Sequence, residues 1–82
     1  MLNAAALRQE LAVLDARRLD LDARLREAVA RQRFTRDRAA AEKARADEAA
    51  LLGDMDRLMT RIRSVEAKLL IIEQGGKRPA WA

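Results

Sequence analysis

Four short stretches of this 82-residue chain hold side chains at spacings that chemistry could use. Two are carboxylate pairs, Asp20-Leu21-Asp22 and Asp54-Met55-Asp56, which resemble metal-binding doublets. The third is "GGK" at Gly75–Lys77, a fragment of a phosphate loop. The fourth is a run of arginines, Arg24, Arg26, Arg31, Arg33, Arg36 and Arg38, opposed nearby only by Glu27 and Asp37.

None of the first three survives its context. Residues two apart on a helix point about 200° from one another, so neither carboxylate pair can share an ion. Gly75–Lys77 lacks the preceding strand and the following helix that a phosphate loop requires. The hydroxyls of Thr35, Thr60 and Ser64 have no base that local spacing brings beside them. The chain has no histidine and no cysteine, so the commonest general base, the thiolate nucleophile and the soft metal ligands are missing. The sequence therefore assigns no catalytic residue, no metal ligand and no cofactor, and a non-enzymatic protein is expected.

The arginine run remains. With a formal charge of +4, it could attract phosphates or an acidic partner. Its ordinary role is a solvated helix surface. Phe34 is the only ring near it, which is thin for stacking on bases. A small basic protein binding nucleic-acid phosphates through Arg24–Arg38 is thus the alternative, not the leading expectation.

The elements that position these groups are helices. Half the residues are apolar, but many of those are alanine, and Phe34 and Trp81 are the only aromatic residues. Much Ala, Leu, Arg, Asp and Glu with little Gly or Pro is the composition of long helices and coiled coils. Asn3 is a good N-cap, and Leu2 and Leu7 have the spacing of a hydrophobic staple, so the chain reads as starting naturally there. Gly75 and Gly76 supply a helix stop and Pro79 prevents resumption. Acid-to-base pairs four residues apart, Asp20–Arg24, Asp22–Arg26 and Glu27–Arg31, each add a few tenths of a kcal/mol to a helix. No apolar run is long enough to span a bilayer, and "MLNAAALRQE" is not a secretory signal, so no membrane insertion is expected and the location is cytoplasmic or virion-associated.

"LDAR" occurs at Leu14 and again at Leu21, one heptad apart. It marks a seam of Leu7, Leu11, Leu14, Leu21, Leu25 and Ala28, with Arg18 as its one bad position. A second seam, Leu51, Met55, Leu58, Ile62, Val65, Leu69 and Ile72, alternates four and three without a fault. Leu52 and Met59 widen it to a face that suits a bundle. On one straight helix the two stripes would point roughly 140° apart. The positions that continue the second seam backward, Glu48, Ala44, Ala41, Asp37, Phe34 and Ala30, are weak.

Folding the chain near Phe34–Arg38 opposes the stripes. The expected fold is all-α: a coiled-coil domain over 1–74, with helices 3–33 and 38–74 as an antiparallel hairpin about a turn near 34–38. Leu7 then faces Leu69, Leu11 faces Val65, Leu14 faces Ile62, Leu21 faces Met55 and Leu25 faces Leu51. Flanking Glu10 would meet Lys68, Arg8 would meet Glu66 and Arg24 would meet Asp54, while Arg17 beside Arg61 is unfavourable. Thr35 or Asp37 would cap the second helix. The alternatives are one helix of about 71 residues, roughly 105 Å long, in a parallel oligomer, and three segments hinged at Gly53.

A single seam is a small core, so either arrangement implies association. Leu19, Leu52, Met59, Leu70 and Ile71 would stay partly exposed on a lone hairpin. Residues 75–82 form a candidate docking tail in which Trp81, Arg78 and Pro79 could engage a partner. The sequence therefore points to a structural or adaptor protein that binds itself, a larger bacterial or phage assembly, or both.

Overall fold

The computed structural model describes residues 3–74. Two helices account for nearly all of them: α1, Ala4–Phe34, and α2, Arg38–Glu73. They pack against each other as an antiparallel hairpin, which is the expected fold class. The long dimension is 59 Å, little more than the ~54 Å of a 36-residue helix at 1.5 Å per residue. An unbroken rod of about 105 Å is therefore excluded, and α2 runs through Gly53 without a hinge.

Both helix starts are fixed by side chains the sequence marks. The Asn3 side-chain oxygen accepts from the Ala6 amide at 2.7 Å. At the turn the two candidate caps divide the work. Asp37 is the N-cap of α2, its Oδ1 accepting from the Ala39 amide at 3.1 Å. Thr35 closes α1, its amide donating to the Arg31 carbonyl at 3.1 Å while its hydroxyl accepts from the Asp37 amide at 3.3 Å. Thr35 and Asp37 both have extended backbone, so neither position calls for glycine.

The core lies between the two seams. Leu7, Leu21, Leu58, Ile62 and Val65 are buried, and Val65 is fully enclosed. Leu11, Leu14, Leu51, Met55 and Met59 pack partly buried against Leu21, Leu58 and Ile62. Toward the turn Ala28 is buried as its place in the first seam predicts, and α2 continues the seam through positions that read as weak: Ala44 is buried, and Ala41 and Glu48 are half-buried. Small side chains there suit a three-residue connection, because interaxial distance follows the residues at the contact. Alongside these alanines, the Gln32 amide donates to the Glu48 carboxylate across the seam.

The flanking charges pair differently from expectation. Glu10 accepts from Arg61, with Nε at 2.7 Å, instead of meeting Lys68. Arg8 reaches Glu73 at 2.9 Å instead of Glu66. Each partner is one heptad from the one expected, because long side chains lean along the groove. The lean also resolves the Arg17–Arg61 conflict, since Arg61 turns toward Glu10. Arg24 pairs with Asp20 at 3.1 Å and Asp54 pairs with Arg57, so those two do not meet across the hairpin.

Candidate docking face

The helix-helix residues converge on one line. Leu7, Leu21, Leu58, Ile62 and Val65 are buried in it, and Leu11, Leu14, Leu25, Leu51, Met55, Leu69 and Ile72 are half-buried along it. Half-burial means that the seam is open on at least one side, and the two sides differ in character.

One flank is charged. Its two grooves are lined by Arg17, Asp54, Arg57 and Arg61 above Leu14, Leu21 and Leu58, and by Arg24, Glu27, Arg31 and Asp47 above Ala28 and Leu51. The other flank is apolar in its middle and carries charges along its rim and toward its ends. Leu19 and Leu25 of α1 share a groove with Met55 and Met59 of α2. Leu11 shares the next groove toward the open end with Leu69 and Leu70. Leu25 and Val29 extend the surface toward the turn. Leu19 is 65% exposed, Leu70 55%, Leu52 50% and Val29 37%. Phe34 is exposed at the turn end of that last groove; Val13 and Ile71 are also exposed, but their helical phase directs them away from this flank.

The heptad explains the sidedness. Positions on the e side of the seam hold Val29, Leu52 and Met59 among the charged Arg8, Asp15, Asp22, Arg38, Arg45, Glu66 and Glu73, whereas the g side holds Glu10, Arg17, Arg24, Arg31, Asp47, Asp54, Arg61 and Lys68 with Ala40 as its one apolar residue. In an antiparallel pair, e faces e and g faces g, so the large apolar flanking residues of both helices gather on one side, with charges toward its ends, and the other side is charged along its length. Leu52 and Met59 are legible as a widened seam. Val29 lies outside the 4-3 pattern, and its signal is being one heptad beyond Asp22 on a flank that is otherwise polar in α1.

The groups with chemical potential are dispersed. Asp20 pairs with Arg24 and Asp22 with Arg26, at 3.1 and 3.0 Å, and Asp54 pairs with Arg57, so each carboxylate is engaged by its own helix. The Thr60 hydroxyl donates to the Asp56 carbonyl at 3.0 Å. The arginine cluster does not form one surface: Arg24 and Arg31 lie on the charged flank, Arg26 and Arg33 border the apolar one, Arg36 is in the turn and Arg38 starts α2. Arg31 pairs with Glu27 and Arg38 with Glu42. Among the described residues, Arg33 and Arg36 make no ion pair. No helix among the described residues is long and apolar enough to cross a membrane. Trp81, Arg78 and Pro79, the Leu2 staple and the Gly75–Gly76 stop lie outside the described residues.

Compared with known protein families, curated proteins and solved structures, the chain matches none.

Proposed function

We propose that this chain is a non-enzymatic helix-docking module, a structural or adaptor component that joins other helices through the apolar flank of its hairpin. The observation that carries this reading is the exposure, along one flank, of Leu19, Val29, Leu52 and Leu70 around half-buried Leu25, Met55, Met59 and Leu69. Large apolar side chains gathered on one flank and rimmed by charges are the kind of surface that marks a protein–protein contact. The natural setting is a larger bacterial or phage assembly, cytoplasmic or in a virion. The arginine and alanine bias of the sequence fits such a source.

The nucleic-acid alternative is weaker on geometry. Phosphate binding needs cations converging on one track, whereas these arginines spread around the hairpin and four of the six face a carboxylate of their own helix.

A paired substitution on each side of the hairpin tests the docking reading. The double variant Leu19→Lys/Leu52→Lys should keep its helicity by circular dichroism and lose association with the complexes that carry the chain in extracts of its host. The double variant Val13→Lys/Ile71→Lys should keep both. Loss of association in the second variant and not the first would overturn the reading.

A further inference from the structure

We infer that the occupant of the apolar flank is a second copy of this chain, docked antiparallel to form a four-helix bundle; this rests on the docking reading above.

The first argument is the charge at the ends of that flank. Toward the open end, the e positions carry Asp15, Glu66 and Glu73 against Arg8 alone. Toward the turn they carry Arg38 and Arg45, and Arg26 and Arg33 stand on the rim with Glu42 as the one acid. Arg63 is the one rim cation at the open end. The flank therefore carries a slight net negative charge at the open end, where Arg8 already pairs with Glu73, and a larger net positive charge toward the turn, where Arg33 and Arg45 have no ion-pair partner among the described residues while Arg26 and Arg38 pair with Asp22 and Glu42. Two copies docked in the same direction would set arginines against arginines. Two copies docked in opposite directions set the arginines of each turn beside the carboxylates of the other's open end. A two-fold axis makes this contact isologous, so one polarity within a single chain satisfies both ends.

The middle of the flank fits the same axis. Leu19, Leu25, Met55 and Met59 sit there and would pack against themselves. Arg18 lines the same groove with Asp22, and Asp56 stands on its rim. Across the axis each Arg18 gains the other copy's carboxylates in addition to its own Asp15, which is 3.7 Å away.

Area is the second argument. Leu19, Val29, Leu52 and Leu70 are 37–65% exposed along a hairpin 59 Å long, a length over which two docked helical faces can bury the ~800 Å² per partner of a standard interface. Among the described residues the hairpin buries seven in its core, two of them alanine, and helical domains with cores this small commonly reach stability by oligomerising. Methionines at Met55 and Met59 suit a surface that must pack against a copy of itself, because their unbranched side chains adapt to irregular gaps.

The test uses the full purified chain. Sedimentation equilibrium should give twice the 9.2 kDa chain mass, in a particle still about 60 Å long, since antiparallel hairpins overlap along their length. A nitroxide on Gln74→Cys, which points away from the flank at the open end, reads the orientation. Antiparallel copies place the two labels about 50 Å apart, and parallel copies about 20 Å, two interaxial spacings. Arg33→Glu/Arg45→Glu alters no core residue and should raise the dimer dissociation constant roughly tenfold. Adding Asp15→Lys/Glu66→Lys to the same chain should restore it. A folded monomer at all concentrations, labels near 20 Å, or no rescue by the second pair would each overturn the second copy as occupant. A monomer whose association in host extracts still depends on Leu19 and Leu52 would leave the docking reading standing. Loss of that dependence would remove both.

Discussion

At the scale of single residues, Gly53 is a helix-interior glycine with room for a side chain. It interrupts the pattern of the second seam's helix as a possible hinge, yet α2 passes through it and a Cβ there would meet only the Arg57 guanidinium, at 3.7 and 3.8 Å, an ordinary contact. Glycine in a helix interior loses more backbone entropy on folding than alanine does. Gly53→Ala should therefore stabilise the hairpin by about 0.5–1 kcal/mol in urea denaturation. An unchanged or lower midpoint would mean that α2 needs to bend there. Contacts within one helix are legible because they are local: Asp20–Arg24, Asp22–Arg26 and Glu27–Arg31 all form as their spacing predicts. Contacts between helices are less so. Glu10 and Arg8 each choose a partner one heptad from the facing position, because a guanidinium on a long stem can reach either neighbour at little cost and spacing cannot rank the two. These pairs are largely exposed, so their exchange moves stability by less than about 1 kcal/mol. The Gln32–Glu48 bond was not legible at all. Neither residue is apolar, and a search for a greasy stripe passes over both. Facing one another on the seam they can fix register, as a lone polar pair does in other coiled coils.

At the scale of the element, the turn shows how three residues end one helix and begin another without glycine or proline. "RDRAAAEKARADEAA" is helical by propensity, so Arg38 onward needs only a start signal. Asp37 provides it by accepting from the Ala39 amide in place of an intrahelical partner. Thr35 leaves helical geometry and holds the Asp37 amide with its hydroxyl. The sequence offers Thr35 and Asp37 as alternatives for one cap; the structure uses both, for different ends. Asp37→Ala should cost about 1 kcal/mol, the usual effect of losing an N-cap, with the melting curve shifted and the hairpin retained. A loss of several kcal/mol would show that the turn is held by more than its cap. The same stretch explains why the seam near the turn was hard to see. Ala41 and Ala44 of α2 fill seam positions opposite the end of α1, where the helices are joined by only Thr35–Asp37. Alanine also fills outward positions of this chain, so its presence on a seam carries no periodic signal.

At the scale of the whole molecule, the choice between a hairpin and a rod lies in a phase relation. Ala28 and Leu51 occupy equivalent seam positions, yet their separation is two residues more than a whole number of heptads. On a continuous helix that excess throws the two stripes to different sides, and no single partner could cover both. Bending the chain removes the conflict, because each helix then keeps its own phase and meets the other's stripe. The two extra residues are thus a reason for the fold as strong as the caps. Deleting Arg36 and Asp37 removes the N-cap of α2 and restores one heptad frame from Leu7 to Ile72. The deletion variant should form an extended helix of about 100 Å. Two such rods can pair antiparallel and recover every facing contact of the hairpin, Gln32 with Glu48 included, between copies in place of within one. Small-angle scattering should then show the maximum dimension rising from about 60 to about 100 Å, with the mass of a dimer. A variant that stays about 60 Å long would place the cause in the alanine-lined approach of the helices, leaving phase with no deciding role.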